Sequence, residues 1–583
     1  MQIVVLTRPE QRPNTYGTYT GEILKAEGLN GFELRPWPVG EALDLSDASV
    51  AILTPCILTY PEVDWLRAYV EQGGRLVAFQ PMAHVLKAFG AKPENKVLID
   101  AYVKPVGLYR IGRAIGGESI QFHGSASKVA VPADWRADAW LYSASDEPSP
   151  YPAVATGKVG EGSFTFFAYD LPATVAAIRQ GDPRLAYQST AGFAADHQQR
   201  PNDLFTGHLD LAKGHIPQAD VHCNLLTHVI NRVAAQPLPR LWYFERPEIQ
   251  SVVVMTSDDD WSTLEQFQAL IGAVEENEGH IHVFMVENSR QSPEQVKEWI
   301  RRGHTFSVHT NPRINEIDPY WHMTESIRRH KAKAEAEYGM PARVYRSHCV
   351  HWQGYAESAQ ILADLGFRMD SSIISLLDNW GLYTNGSGRP MRWVDERGQV
   401  IDLFEQSVNF YDDASVMQVL SEEPETEVAR ATLVLHEARD KYHTPFGFLS
   451  HPVSFYTYSS RFVRAVLAQT HSMGMPILSA DEWLEQTLAR DEARIFDIRW
   501  DGKCLSFQVR RGSARGELTA MGPMPEGAKA AAASVDGEAA EVVIKTIHGR
   551  QYAMVPLGSM GPNMVSSVRI TFGSQPATGG ENG

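Results

Sequence analysis

Three consecutive carboxylates, Asp258-Asp259-Asp260, follow directly on the apolar run VVVM. Adjacent carboxylates repel one another, and such a cluster costs folding free energy unless a cation or hydrogen bonds offset it. Histidines end other short apolar runs: His309 in HTFSVH, His348 and His351 in ARVYRSHCVHW, and His451 in GFLSHPVSF. Carboxylate oxygen with imidazole nitrogen is a ligand set suited to a divalent cation, zinc foremost, with cobalt, nickel or manganese also compatible. A cation so held acidifies water; a further carboxylate can take its proton, and an imidazole on the far side can protonate a leaving group. The acidic triple also fits a solvated turn that caps the next helix, and single histidines are commonly core or surface residues. The weight rests on their recurrence at strand ends.

Those strand ends imply a scaffold. SVVVMTSDDDW opens a β-α-β-α succession through a helix at 263–275, the strand IHVFMV, the helix PEQVKEWIRR and the strand HTFSVH. This pattern predicts a barrel or a parallel sheet, whose carboxyl-end loops are where ligands bind. Before it, IVVLT and SVAILTP read as buried strands. PEVDWLRAYVEQGG presents Val63, Leu66, Tyr69 and Val70 on one helical face and stops at Gly73-Gly74 before the strand RLVAF. Helix, glycine stop and strand in that order predict a crossover onto a parallel sheet. DVHCNLLTHVINRVAAQ reads as a helix, followed by a proline-rich connection near residue 245. Beyond residue 494, FDIRW, LSFQVRR, AEVVIKTI and SSVRITF alternate or nearly so, which predicts a small antiparallel sandwich. The expected division is residues 1–200 α/β, 201–247 a helical linker, 248–490 the catalytic unit, 491–573 a β-sandwich and 574–583 a disordered tail. The fold class is multidomain α/β with a central distorted (β/α) barrel.

From about residue 251 to 486 the order of segments resembles the polysaccharide deacetylase family, also called carbohydrate esterase family 4. Its first motif, Thr-Phe-Asp-Asp-Gly, is met by Thr256-Ser257-Asp258-Asp259-Asp260, so the resemblance implies Asp258 as general base and Asp259 as a metal ligand. The family's His-Ser/Thr-x-x-His motif falls on His309-Thr310-Asn311-Pro312-Arg313. His309 then matches the first histidine ligand, while Arg313 stands at the second, where arginine cannot coordinate. Arg346-Ser347-His348 resembles an Arg-x-His variant of the third motif, which implies His348 as the replacement ligand, with His351 behind it, and Arg346 as the residue that holds Asp258. LADLGFRMDSSI supports the register, with Asp370 structural. Leu449-Ser450-His451, one residue tighter than the family's last motif, implies His451 as general acid. Glu405, in DLFEQSVNFYDD, stands where the family carries a substrate-groove motif. Residues 1–200 resemble class I amidotransferase-like domains, but Cys56 in ILTPCILTY lacks the flanking glycines of that family's nucleophile and is expected to be structural.

The resemblance implies a metal-dependent hydrolase deacylating an N-acetylated or O-acetylated carbohydrate, with an acylated amino sugar as partner and Trp261, Trp352, Tyr355 and Trp380 as candidate platforms for sugar rings. Core packing of those aromatics is equally compatible. Two other readings stay open. One is a degenerate carbohydrate-binding or scaffolding protein, for which Arg313 speaks. The other is a metal-free glycoside hydrolase pairing Asp258 or Asp260 with Glu405, which needs a separation of roughly 5–10 Å. A net charge of −17 excludes broad electrostatic binding to nucleic acid or anionic lipid. Cys56, Cys223, Cys349 and Cys504 lack the spacing of a disulfide framework or thiolate zinc cluster. The opening MQIVVLTRPE reads as a strand, not a secretory signal or membrane span, which makes the cytoplasm the default location. Surfaces of both flanking domains allow a homo-oligomer.

Overall fold

The computed structural model describes residues 2–8, 11, 15–42, 44–108, 118–189, 198–311, 319–375, 380–559 and 561–573. Arg313 and the tail 574–583 lie outside the described residues. Among the described residues the N-terminal part builds a nine-stranded sheet. Phe32–Pro36, Gln2–Thr7, Ala48–Leu53, Arg75–Phe79 and Gly162–Phe167 pair in parallel in that order. The hairpin Glu147–Val159/Gly162–Phe167 then turns the sheet antiparallel. IVVLT, SVAIL and RLVAF are apolar along their whole length because both faces are covered.

The helix Tyr60–Glu71 starts in a capping box of Thr59 and Glu62, and buries Val63, Leu66 and Val70. Cys56 is buried and burial, the largest influence, pushes its thiol up to about 12, so it is not a poised nucleophile.

The central sheet is parallel apart from the antiparallel edge strand Met391–Val394. Its strands run Val253–Asp258, His282–Met285, Thr305–Val308, Val344–Tyr345, Met369–Asp370 and Val400–Glu405. On the other side of Val253–Asp258 lies Phe446–Leu449, then Phe410–Tyr411. One stretch of chain spans the two ends of this curled, barrel-like sheet. The Gln406 amide donates to the Asp370 carbonyl and that of Val408 to Ile373, whereas the Asn409 amide donates to Gly447. Residues 400–411 therefore bend from one end of the sheet to the other.

The chain finishes in two antiparallel sheets, five- and four-stranded among the described residues. Leu505, Phe507, Val568 and Ile570 of one share a core with Ala520, Ala553 and Val555 of the other. The segment AEVVIKTI divides between them, Glu538–Ala540 in one and Val543–Ile547 in the other. Arg240–Leu241, ahead of the barrel in sequence, pairs with Thr519–Pro523.

The helix Gln218–Val233, expected to link, is buried along nearly its whole length and packs into the N-terminal core. It also joins a buried ionic junction with the barrel. Arg389 donates to Glu27 at 2.7 Å and lies beside Asp220, whose carboxylate accepts from Ser387 Oγ and the Gly388 amide. Arg392 pairs bidentately with Asp491 at 2.7 and 2.8 Å.

One buried pair gives the N-terminal domain a signed pH dependence. Burial opposes ionising Glu62, but hydrogen bonds from Arg8 and the Gly40 and Thr59 amides outweigh it and hold its carboxyl down to about 2. With 4.5 as the ordinary value, the unfolded chain takes up the proton first. The stabilisation is present above about pH 4.5 and is lost as pH falls towards 2, amounting to up to about 3 kcal/mol. In denaturant titrations between pH 6 and 2.5, Glu62→Gln is expected to flatten that part of the acid loss; an unchanged slope would refute the assignment.

Candidate active site

Asp258 is the last residue of the first barrel strand, and its carboxylate is fixed by Arg346. The buried guanidinium donates from Nη1 to Asp258 Oδ1 at 2.9 Å and from Nη2 to Thr256 Oγ1 at 3.0 Å. It also donates to the Ser371 carbonyl at 2.8 Å and to Ser371 Oγ at 2.9 Å, and lies over the Phe284 ring at 4.5 Å. Burial alone would raise the Asp258 pKa, but His309, Arg346 and His451 reverse that and bring it down to about 2.

His309 sits just past the third strand. Its Nδ1 is 3.0 Å from the Arg346 carbonyl, which can only accept, so Nδ1 carries a proton and the neutral ring, which a cation would require, presents its lone pair at Nε2. That Nε2 lies 3.5 Å from Asp258 Oδ2 and 3.6 Å from Asp260 Oδ1. His348 Nε2 is 3.8 Å from the same Asp260 oxygen. Donor atoms of Asp260, His309 and His348 all fall within 4.8 Å of one another. Asp260 Oδ1 is buried with no hydrogen-bond donor among the described residues. A buried carboxylate oxygen so placed, beside two imidazole nitrogens, fits a divalent cation.

The acidic triple thus contributes Asp260 to this cluster, and not Asp259, which the motif match had made the ligand. The strand ends at Asp258, and the turn that follows brings the Asp260 carboxylate beside His309 and His348, while Asp259, whose Oδ1 is also buried without a donor among the described residues, stays outside that cluster. Asp259 Oδ2 accepts from the Val286 amide at 3.3 Å, and burial pushes its pKa up to about 6. Left-handed backbone at Asp260 (φ 42°) and Trp261 (φ 54°) completes the turn. Conformations of this kind cost roughly 1–3 kcal/mol each in non-glycine residues and persist where the surroundings enforce them.

On the opposite wall His451 follows Phe446–Leu449. Its Nδ1 donates to Asp412 Oδ1 at 3.0 Å, leaving Nε2 at 3.9 Å from both Asp258 Oδ2 and Asp260 Oδ2. Burial disfavours the imidazolium, yet the Asp412 hydrogen bond and charge, with Asp258 and Asp260, prevail and push its pKa up to about 10. Asp412 was not picked out from the sequence. It also accepts from Ser450 Oγ, Ser459 Oγ and the His451 amide, contacts that follow from the pairing of Phe410–Tyr411 with Phe446–Leu449. The available signal was a carboxylate pair directly after the short apolar stretch NFY.

These side chains surround a cavity of about 180 Å³, with Ile374, Tyr411 and Leu449 on its apolar side and Arg200 from the N-terminal part in its wall. His351, although near His348, is outside the three-residue cluster. Glu405 is not at the cavity. It is buried against Arg179 at 3.0 Å and Asn385 at 2.8 Å, so the carboxylate pair of a metal-free glycosidase does not form with it. Trp352, Tyr355 and Trp380 are buried in the core, whereas Trp261 is 44% exposed, its ring 5.6 Å from that of His348.

A family profile described as polysaccharide deacetylase matches residues 245–369, a stretch holding Asp258, Asp260, His309, Arg346 and His348 but not Asp412 or His451. The chain thus carries a deacetylase-type segment within a multidomain α/β structure. No curated protein matches the sequence. Among solved structures, Agd3, described as a novel carbohydrate deacetylase, is similar over 98% of this chain and 99% of its own at 10% identity and a TM-score of 0.44. A putative polysaccharide deacetylase from Mycobacterium smegmatis covers 42% of this chain and 92% of its own at 15% identity and a TM-score of 0.33. BA3943 of Bacillus anthracis, a family 4 pseudoenzyme, covers 41% of this chain and 66% of its own at 11% identity and a TM-score of 0.27.

Proposed function

We propose that the barrel is a divalent-metal-dependent hydrolase that removes an acyl group from an N-acetylated or O-acetylated carbohydrate. The observation that carries this reading is the Asp260 oxygen, without a donor among the described residues, facing His309 and His348 and set between Asp258 and His451. A cation of zinc type held by those three residues supplies Lewis-acid polarisation of an acyl carbonyl and a lowered pKa for water.

The chain's own groups do the proton work. Asp258, kept anionic and oriented by Arg346, accepts the proton of the attacking water at Oδ2, the oxygen that Arg346 leaves open. His451, held by Asp412 with Nε2 towards the cavity, donates its proton to the departing nitrogen or oxygen. Small apolar walls at Ile374 and Leu449 suit the methyl of an acetyl group and exclude water from its side. The solvent-facing indole of Trp261, beside His348, offers a stacking surface for the apolar face of a sugar ring.

Elemental analysis of purified protein tests the reading first. About one equivalent of zinc or a similar cation is expected in the wild type, with a loss of at least about tenfold in affinity for His348→Ala and for Asp260→Asn, whereas Asp259→Asn stays within about threefold. Failure of the wild type to take up a cation even after reconstitution would overturn the mechanism, and equal losses in D259N and D260N would overturn the ligand assignment.

Acyl release from N-acetylglucosamine oligomers tests the proton roles. Asp258→Asn is expected to keep its cation and lose about 10²–10⁴-fold in kcat. Trp261→Ala is expected to raise KM by about fivefold to tenfold with little change in kcat, an effect of about 1–1.5 kcal/mol for one lost stacking surface. A change confined to kcat would place Trp261 outside substrate binding.

A further inference from the structure

The turn that presents His348 is a high-energy piece of backbone. Cys349 and Val350 both adopt left-handed conformations, φ 51° and 47°. For a β-branched residue this is strongly disfavoured, so the turn needs external support to persist. On its inner side the barrel provides some: the His348 amide donates to the Thr310 carbonyl at 2.9 Å, and the Ser347 amide to Ser372 Oγ at 3.2 Å.

The outer side is held by residues 198–205, which precede the barrel by some fifty residues of chain. Gln199 is the main clamp. Its carboxamide oxygen accepts from the Gly354 amide at 2.9 Å and from the Tyr187 amide at 2.9 Å, and its nitrogen donates to the Gly354 carbonyl at 2.8 Å. The Gln199 carbonyl accepts from the Trp352 amide at 3.0 Å. Arg200 donates from Nε to the Cys349 carbonyl at 3.3 Å, inside the strained turn itself. The segment is anchored to the barrel by Asn202, whose side chain donates to the Ile374 carbonyl at 2.7 Å, and by Leu204 and Phe205, both buried in the barrel core.

We propose that residues 198–205 are a positioning strap for the cation cluster, with Gln199 and Arg200 fixing the turn that aims His348 Nε2 at Asp260. The proposal rests on the metal-site reading for its functional consequence, though the mechanical part stands without it. Gln199 and Arg200 are positioning residues, acting on the site through the backbone of 349–354. The N-terminal part then completes the catalytic centre, beyond serving as a scaffold beside it.

Two readouts on the full chain test the strap, with a matched control. Gln180 makes the same two-pronged amide bridge to the barrel, at Val394 (2.8 and 3.0 Å), far along the chain from the His348 turn. Gln199→Ala and Gln180→Ala therefore each remove one such bridge, and thermal unfolding should show comparable loss for both. The His348 and Trp352 amides are bonded to the Thr310 and Gln199 carbonyls, so their hydrogen-exchange rates in metal-free protein report opening of the turn. Zinc affinity, read by competition with a chromophoric chelator, reports the aim of His348.

Q199A is expected to speed exchange of the His348 and Trp352 amides and to weaken zinc binding by about tenfold or more each, while Q180A stays within about twofold of wild type in both. Wild-type behaviour of Q199A, or an equal shift in Q180A, would overturn the strap. Should the wild type bind no zinc, the exchange rates alone decide: faster exchange confined to Q199A upholds the strap while the metal-site reading falls.

Discussion

The site depends on one buried cation, the guanidinium of Arg346. Two carboxylates crowded at the end of the first barrel strand would repel each other and resist burial, and Arg346 offsets that at Asp258 with a direct hydrogen bond. The same residue ties four strand ends together. It bonds to Thr256 and Asp258 on the first, packs on Phe284 of the second, accepts the His309 proton beyond the third through its own carbonyl, and donates twice to Ser371 beyond the fifth. The tautomer of His309, and hence the direction of its lone pair, follows from that single carbonyl contact. A lysine could supply charge here but not the fork that serves several acceptors at once.

A second level of constraint comes from outside the barrel. Arg389 and Arg392 reach from the barrel to Glu27 and Glu22 of the N-terminal part, and Arg179 reaches from that part to Glu405 of the barrel. Buried pairs of this kind add little net stability over a well-packed apolar contact, but losing one partner is costly. They therefore fix the relative placement of the layers more than they strengthen it. Precise placement is what a cavity wall shared between the N-terminal part and the barrel requires, since Arg200 reaches the cavity only if that packing is kept.

Much of the scaffold could be read from the chain because its signals are local. IVVLT, SVAIL and RLVAF are apolar runs, and the glycine stop at Gly73 ends an amphipathic helix; each follows from burial on both faces or from backbone freedom within a few residues. His309, Arg346, His348 and His451 were legible as strand-end positions for the same reason, and the structure gathers the three histidines at one cavity with Arg346 buried behind Asp258. Asp260, and not Asp259, joins the His309 and His348 cluster, and the left-handed turn at Asp260 and Trp261 that accompanies this is not written in residue type. Asp412 was hidden because its role arises when Phe410–Tyr411 pairs with Phe446–Leu449. Glu405 looked like a substrate contact until Arg179, more than two hundred positions earlier, was brought against it. Gln218–Val233 looked like a connection because its burial on all sides depends on partners distant in sequence.

The pairing of Arg240–Leu241 with Thr519–Pro523 has a consequence for how the protein is made. One strand of the four-stranded sheet leaves the ribosome before the barrel, and its neighbours emerge only after the barrel is complete. During synthesis that strand's edge stays open while the whole barrel is translated and folds. The last sheet can then form only by returning to chain laid down far earlier, so Thr519–Pro523 acts as a clasp across the barrel, and barrel formation alone does not make the molecule one cooperative unit.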